Sequence, residues 1–302
     1  MQDRDNLSSA LYMTVAMAAF TFNDTCMKMV AAELPLPQAI LLRGLIAMAA
    51  LAIIGLRTGR KQLRLGAEDG RRLGLRSVAE VAATLTFLAA LRHMPLANLS
   101  AIMQALPLAV TLGAALFLAE PVGWRRMAAI AAGFFGVVLI VRPGTDGFDT
   151  WSVLGLASVA CVVLRDLATR RLSGAIPSAT VAFYAATAVT LAGAALVPMA
   201  GWAPLDLRLA ALIVTAAGFL IVGYLFIVMA MRVGEIGLVA PFRYTALVFA
   251  IALGWLVFGQ LPDMLTLTGA AIVVATGLYT FHRERRLGRR VAAPDKAPLR
   301  LR

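Results

Sequence analysis

Two similar stretches decide the fold: DTCMKMVAAELP at residues 24–35 and DLATRRLSGAIP at residues 166–177. A shift of 142 residues superimposes them, and shifts of 140 or 141 superimpose further residues along both halves. The aligned pairs are Asp24 and Asp166, Lys28 and Arg170, Pro35 and Pro177, Arg92 and Arg232, Glu120 and Gln260, Pro121 and Pro262, and Gly136 and Gly277. This pattern predicts an internal repeat, with one unit at residues 1–142 and the other at residues 143–282.

Each stretch closes an apolar run, and apolar residues dominate the whole chain. Hydrophobic residues make up 61% of its 302 residues and charged residues only 15%, with a mean hydropathy of +0.83. A soluble domain is usually about a quarter charged and under half apolar. The composition therefore excludes a soluble enzyme, a disordered chain and a disulfide-rich secreted protein, and it predicts a membrane protein with several spans.

Ten segments are long enough to cross a bilayer, because a spanning helix needs about 20 mainly apolar residues. They are Leu7–Val30, Gln38–Leu56, Leu73–Leu91, Leu96–Leu118, Met127–Val141, Val153–Ala168, Ile176–Ala200, Leu207–Met231, Ile236–Phe258 and Leu265–Phe281. Each half holds five, and since five is odd, the second half enters the membrane from the opposite side. The predicted fold is an all-α polytopic membrane protein with ten transmembrane helices in two inverted five-helix repeats.

The basic residues predict the orientation of the chain. Most of its 28 Lys and Arg residues lie in connections on the side of the N-terminus or in the tail, residues 283–302. Basic loops of membrane proteins stay in the cytoplasm, so both termini are expected to be cytoplasmic. The net charge of +12 has the same origin and does not predict nucleic-acid binding.

Charged residues within the apolar segments are energetically unfavourable and need a role. Six of them are candidates for gate contacts or ion pairs: Asp24, Lys28, Arg43, Arg165, Asp166 and Arg170. Two of the acidic residues each precede a basic residue by four positions, which is the spacing of an intrahelical ion pair. The alternative role for these two pairs is a gate at each end of the bundle. Arg43 is expected either to pair with Asp24 or Glu33 or to hold an anion.

Polar and aromatic residues within the spans are candidates for substrate binding: Glu80, Thr84, Phe87, Gln104, Tyr224, Arg243 and Tyr244. Glu80 shares a helical face with Arg76. It is expected either to pair with that arginine or to face a cavity, where it would bind an ammonium group or exchange a proton. Gln104 and Tyr244 are repeat partners and are predicted to face one central cavity; the alternative is hydrogen bonding between helices.

A proline lies three positions from each member of this last pair. Pro107 and Pro241 each remove a backbone N–H donor within an apolar segment and permit a kink. Kinked, polar helices at matched positions of two repeats mark the substrate site of many transporters. Both prolines are therefore predicted to be hinges.

The residue types needed for catalysis or metal binding are scarce. None of the patterns GxxxxGK[ST], HExxH and GxSxG occurs. The only cysteines, Cys26 and Cys161, lie in apolar runs, and the chain has just two histidines. We expect no enzymatic activity, no cofactor and no metal, and a gradient rather than ATP as the source of energy.

The chain resembles the ten-helix, EamA-type members of the drug/metabolite transporter superfamily over residues 7–282. The resemblance rests on the repeated stretch at residues 24–35, on FLAEP (117–121) and VFGQLP (257–262), and on GAAIVV (269–274). Glu120 matches the acidic residue usual at that place, whereas Gln260 departs from it. Within the superfamily the chain looks most like a bacterial exporter of aromatic amino acids. This resemblance implies a basket of ten helices around a central cavity.

These observations favour a secondary transporter that exports amino acids, chiefly aromatic and other apolar ones, by alternating access. Glu80, Arg243 and Tyr244 would bind the polar ends of the substrate, and nearby aromatic residues would contact its side chain. The alternative is a proton-coupled exporter of cationic drugs or other small metabolites, with Glu80 as the shared site. The expected partners are the small-molecule substrate and the lipid bilayer, and the chain is treated as a monomer.

Overall fold

In a computed structural model, the described residues are 2–57, 66–120, 122–143, 150–173, 176, 178–233 and 239–292. They form helices and no strand. The helices are α1 (Gln2–Glu33), α2 (Leu36–Arg57), α3 (Ala67–His93), α4 (Leu96–Met103), α5 (Leu106–Phe117), α6 (Trp124–Val141), α7 (Thr150–Arg170), α8 (Ser178–Ala200), α9 (Leu207–Val233), α10 (Thr245–Phe258) and α11 (Met264–Ala292). A 3-10 segment, Ala240–Tyr244, directly precedes α10. Pro121, Pro177 and tail residues 293–302 lie outside the described residues.

The protein is a multi-pass membrane protein, as the composition predicts. Within the described ranges, nine stretches are long and apolar enough to span a bilayer, counting α4 with α5 and the 3-10 segment with α10. The remaining predicted span, which is the first one and corresponds to α1, is 32 residues long but is less apolar. It carries Asn23 and Lys28, whose side chains are buried in the bundle. Turning polar groups inward keeps them from the hydrocarbon.

The two halves pack against each other helix by helix. The most extensive interfaces join α1 with α9, α3 with α7, α2 with α8, and α6 with α11. Each interface joins one helix of the first half to one of the second. Exchanging every span for the span five places away gives the same four interfaces, as an inverted repeat requires.

The interface between α6 and α11 is a close backbone contact. A Cβ atom on Gly136 would lie 2.7 Å from the carbonyl oxygen of Gly269, and one on Gly269 would lie 2.5 Å from that of Gly136. Small residues allow such approach between membrane helices. Neither helix lines the central cavity described below.

Both prolines named above lie at interruptions of a span. The fourth span divides into α4 and α5, with Pro107 second in α5. At this break the N–H of Ala105 donates to the carbonyl oxygen of Ile102, three residues earlier and 3.1 Å away. This spacing is that of a 3-10 turn, which is tighter than an α-helical turn. In the ninth span Pro241 is second in the 3-10 segment. Each interruption brings one residue, Gln104 or Arg243, to the cavity described below.

Candidate functional site

A cavity of about 230 Å³ lies between α1, α3, α4, α5, α9 and α10. Both halves therefore contribute to its wall. Its polar lining residues are Thr21, Asp24, Ser100, Gln104 and Arg243. The rest of the wall is apolar and includes Phe20, Phe87 and Met103. We call it the central cavity.

Gln104 reaches the central cavity from the break in the fourth span. It is the residue that follows α4, and its side chain is buried against the cavity. Phe87 from α3 and Pro107 from α5 line the same wall. Thr84, one turn before Phe87, is partly buried and does not line the cavity.

Arg243 is the cationic group of the central cavity. It lies in the 3-10 segment and its side chain is exposed to the cavity. Asp166 attracts it and Arg165 repels it electrostatically. Among the described residues, however, none forms a direct ion pair or hydrogen bond with its guanidinium. Its donors are therefore available to an anionic group of a ligand.

Asp24 is the acidic residue of the same cavity and comes from α1. The side-chain amide of Asn23 donates a hydrogen bond to it over 2.9 Å. Arg43 in turn donates a hydrogen bond to the side-chain oxygen of Asn23 over 3.2 Å. It also attracts Asp24 electrostatically. The predicted pairing of Arg43 with Asp24 is thus bridged by an amide, while Glu33 pairs with Arg208 at 2.7 Å.

Glu80 is held by two arginines rather than facing the central cavity. Its carboxylate lies 3.3 Å from Arg76 on the same helix and 3.3 Å from Arg165 on α7. Arg165 also pairs with Asp166 at 2.8 Å. The side chain of Glu80 is 12% exposed, and it is absent from the cavity lining. Glu80 therefore joins α3 to α7, the structural alternative considered from the sequence.

Tyr244 does not face the cavity with Gln104, which corrects the prediction for that pair. Its ring stacks edge-on with Phe281 of α11 at 6.4 Å. Its hydroxyl is buried against Gly277, also of α11. Successive residues of a 3-10 helix point about 120° apart, so Arg243 faces inward while Tyr244 faces outward. Tyr224 likewise lies behind the wall, packed edge-on against the cavity residue Phe20 at 5.5 Å.

Lys28 contacts a neighbouring helix, which corrects the predicted pair with Asp24. Its Nζ donates to the carbonyl oxygens of Leu91, 2.7 Å away, and Met94, 2.6 Å away, where α3 ends. The last carbonyls of a helix lack intrahelical partners and carry partial negative charge. A cation is therefore stabilised there. We call this end of the bundle, where α1 and α3 finish, the Lys28 end.

The opposite end, where α7 finishes, is the Arg170 end. Arg170 pairs with Glu120 at 3.0 Å instead of the predicted Asp166, whose partner is Arg165. The same end holds a contact between Arg72 and Arg171, whose carbonyl oxygen accepts a 2.7 Å hydrogen bond. The first contact joins the end of α7 to the end of α5, and the second joins α3 to the end of α7.

Part of the cavity wall, on α1, was not predicted from the sequence, which identified only Asp24 there, as a gate or ion-pair residue. Met17, Phe20, Thr21 and Asp24 line it from α1. Their spacing of three, four and seven positions is that of one helical face. This face could have been found by extending the stripe back from Asp24. Among the described residues, no group of His, Cys, Asp and Glu is arranged to hold a metal.

Comparison with known proteins relates the sequence and the fold to a family of membrane transporters. The sequence pattern of the EamA-like transporter family matches residues 7–142. A riboflavin transporter of Rhizobium johnstonii is 30% identical over 68% of each chain. The pseudopaline exporter CntI of Pseudomonas aeruginosa is 27% identical over 89% of this chain and 95% of its own. A solved protein structure with 17% identity superimposes with a TM-score of 0.63 and covers 95% of this chain and 99% of its own, so it shares the fold.

Proposed function

The chain belongs to the EamA-like transporter family, and from this premise we propose that it exports amino acids through the central cavity. The family and the relatives are transporters of small molecules rather than enzymes. We propose aromatic and other apolar amino acids as the substrates, carried across the bacterial inner membrane by alternating access.

The observation that carries this proposal is the pair of opposite charges in one cavity. Arg243 is exposed there without a direct partner among the described residues, and Asp24 accepts only the amide of Asn23. A zwitterion offers a carboxylate to the arginine and an ammonium group to the aspartate. Phe20, Phe87 and Met103 would contact an apolar side chain. In this proposal Asp24 takes the role first considered for Glu80.

The names of the relatives fix neither the direction nor the substrate, since others among them are named uptake transporters of S-adenosylmethionine. One is named an exporter of pseudopaline and another a transporter of riboflavin. Neither name specifies an amino acid, so the substrate class rests on the chemistry of the cavity. The alternative of a cationic-drug exporter loses support because Glu80, its intended site, lies between two arginines.

We further propose that the chain consists of two inverted repeats, residues 1–142 and 143–282, with a basic tail at 283–302 and both termini in the cytoplasm. The exchange symmetry of the four interfaces supports the repeat, and the basic connections support the orientation. With this orientation the Lys28 end faces the periplasm. A reporter that is active only in the periplasm should stay silent when fused to the C-terminus.

Transport into proteoliposomes tests the function. Purified protein should take up phenylalanine, tryptophan, methionine or threonine saturably, with or without a proton gradient. Arg243→Gln should raise the KM for phenylalanine about 10- to 100-fold, because a hydrogen bond to a charged group is worth about 1.5–3 kcal/mol. Phenethylamine, which lacks the carboxylate, should be unaffected by this change.

The matched control is Arg208→Gln. Arg208 is an exposed arginine paired with Glu33 and lies outside the central cavity, so its replacement should leave both KM values unchanged. Saturable uptake of none of the four amino acids would refute the proposal.

A further inference from the structure

A second and larger cavity lies on the other side of the fourth span. It measures about 620 Å³ and is bounded by α5, α6 and α7. It shares no lining residue with the central cavity. We call it the lateral cleft.

The wall of the lateral cleft is hydrocarbon apart from one residue. All of its lining side chains are apolar or glycine except Arg171. Leu116, Phe117 and Leu164 line it and are 68%, 70% and 45% exposed. An apolar cavity of this kind is not filled stably by water. In a bilayer, an acyl chain is the matching occupant.

Arg171 gives the cleft one charged corner. It follows α7 and donates one hydrogen bond, over 3.1 Å, to the carbonyl oxygen of Phe117. A guanidinium has five N–H donors, and Arg171 pairs with no carboxylate among the described residues. Its neighbour Arg170 is already paired with Glu120, and Arg72 with Glu68. The corner therefore has an excess positive charge that an anion would complement.

The position of this corner matches the depth of lipid headgroups. Arg171 lies beyond the end of α7, so it is at the limit of that span. Trp124, which begins α6 at the same end of the bundle, is 75% exposed. Exposed tryptophans of membrane proteins are enriched at the headgroup level. A phosphate at that level would lie within reach of a guanidinium and directly above an apolar cleft.

We infer that the lateral cleft binds an anionic phospholipid of the surrounding leaflet. Its acyl chain would occupy the cleft between α5, α6 and α7, and its phosphate would accept hydrogen bonds from Arg171. Bound there, the lipid would lie against α5, the helix whose other side forms the wall of the central cavity. This inference is independent of which solute the central cavity carries.

Native mass spectrometry of the full chain tests the inference. The protein would be released from vesicles of equal phosphatidylglycerol and phosphatidylcholine with identical acyl chains. Wild type should retain one phosphatidylglycerol in at least about tenfold preference, and Arg171→Gln should lose that preference. The control Arg170→Gln, which removes an arginine already paired with Glu120, should keep it.

A second variant tests the acyl chain separately. Ala160 lines the cleft and is exposed, so Ala160→Trp should fill the space and reduce retention of both lipids, with an unchanged elution volume showing a folded protein. Equal retention of the two lipids by wild type would overturn the inference. So would displacement of the lipid by inorganic phosphate alone, because that would indicate an anion site without an acyl chain.

Discussion

The two ends of the bundle are related by the repeat, yet their side chains make different contacts. At the Lys28 end, Lys28 joins α1 to the last carbonyls of α3. At the Arg170 end, its repeat partner Arg170 pairs with Glu120. Within the part of the chain that the structure describes, α1 and α3 are in contact, whereas α7 and α9 form no comparable interface. The contact between α1 and α3 at the Lys28 end thus has no counterpart of similar size between the described residues of α7 and α9 at the Arg170 end.

A difference between the two ends is expected from the proposed alternating access. If both repeats made the same contacts, both ends would be equally open or equally closed. A transporter instead needs two states that exchange the roles of the ends. In the proposed alternating-access cycle, the hydrogen bonds of Lys28 would stabilise the described state and would have to break during transport.

Replacing Lys28 should have the largest effect. Lys28→Met removes two charge-assisted hydrogen bonds, each worth about 1.5–3 kcal/mol, so the Lys28 end should open. Ser100 lines the central cavity. In a background without Cys26 and Cys161, Ser100→Cys should become at least about tenfold more reactive toward a polar thiol reagent added at that end.

Arg170→Met is the matched control for this measurement. Arg170 and Glu120 are each 47% exposed, and exposed pairs contribute about 1 kcal/mol or less. The labelling should change little. Equal effects of the two substitutions would remove the difference between the ends.

The two prolines should have the next largest effect, and in opposite directions. Each proline lies in the first turn after the break, where its missing N–H donor is tolerated, but its ring prevents the span from continuing as one unbroken α-helix. Pro107→Ala and Pro241→Ala should each straighten one span. Because the spans run in opposite directions, the substitutions should favour access from opposite ends in the same labelling assay. Wild-type labelling in both variants would exclude the prolines from the conformational change.

The spans and their breaks follow from the sequence because they depend on local properties. Hydropathy over about 20 residues identifies a span, and the missing N–H of Pro107 or Pro241 identifies where its helix is interrupted. The charged residues of the interior were identified for a similar reason, since each is unfavourable in hydrocarbon. The family was identified from the repeated stretch and from short motifs such as FLAEP (117–121), which are properties of the sequence alone.

The partners of those charged residues could not be predicted in the same way. Lys28 is four positions from Asp24, but its partners are carbonyls on another helix, 63 and 66 residues away. That contact depends on where α3 ends beside α1. Likewise, the orientation of Arg243 and Tyr244 depends on a 3-10 geometry, which the apolar pattern does not show.

A smaller effect is expected from Glu80, which supports the Arg170 end by joining α3 to α7. Glu80→Gln would leave Arg165 and Arg76 without their shared carboxylate. Breaking a fully buried ion pair costs about 3–5 kcal/mol. Because these side chains remain 12–24% exposed, we expect roughly half of that.

Thermal unfolding in detergent measures this loss, and a double-mutant cycle with Arg165→Gln isolates the pair. The coupling should be positive, and Ser100→Cys should keep its low reactivity at the Lys28 end. A coupling near zero would mean that the pair of Glu80 and Arg165 does not contribute to holding α3 against α7.

The smallest effect concerns an exposed ion pair at the Lys28 end, between Arg142 after α6 and Asp263 before α11. The hydrogen bond from Arg142, together with one from the backbone N–H of Thr266, lowers the pKa of Asp263 from 3.8 to about 2. A carboxylate whose pKa is lower in the folded protein stabilises the fold at pH values above its unfolded pKa. This contribution is lost as the pH falls through the folded pKa. The window is therefore from about pH 4 down to about pH 2.

Asp263→Asn should lower the melting temperature slightly near neutral pH, and the gap from wild type should close across that window. The gap is expected to be small because the Asp263 side chain is 56% exposed, and solvent screens such a pair. The pair joins α6 to α11 and does not involve α1 or α3. The labelling of Ser100→Cys should therefore be unchanged. A difference in melting temperature that persists to pH 2 would show that the effect of the substitution does not depend on the charge of Asp263. Altered labelling would show that closure of the Lys28 end depends on the pairing of α6 with α11 as well as on Lys28.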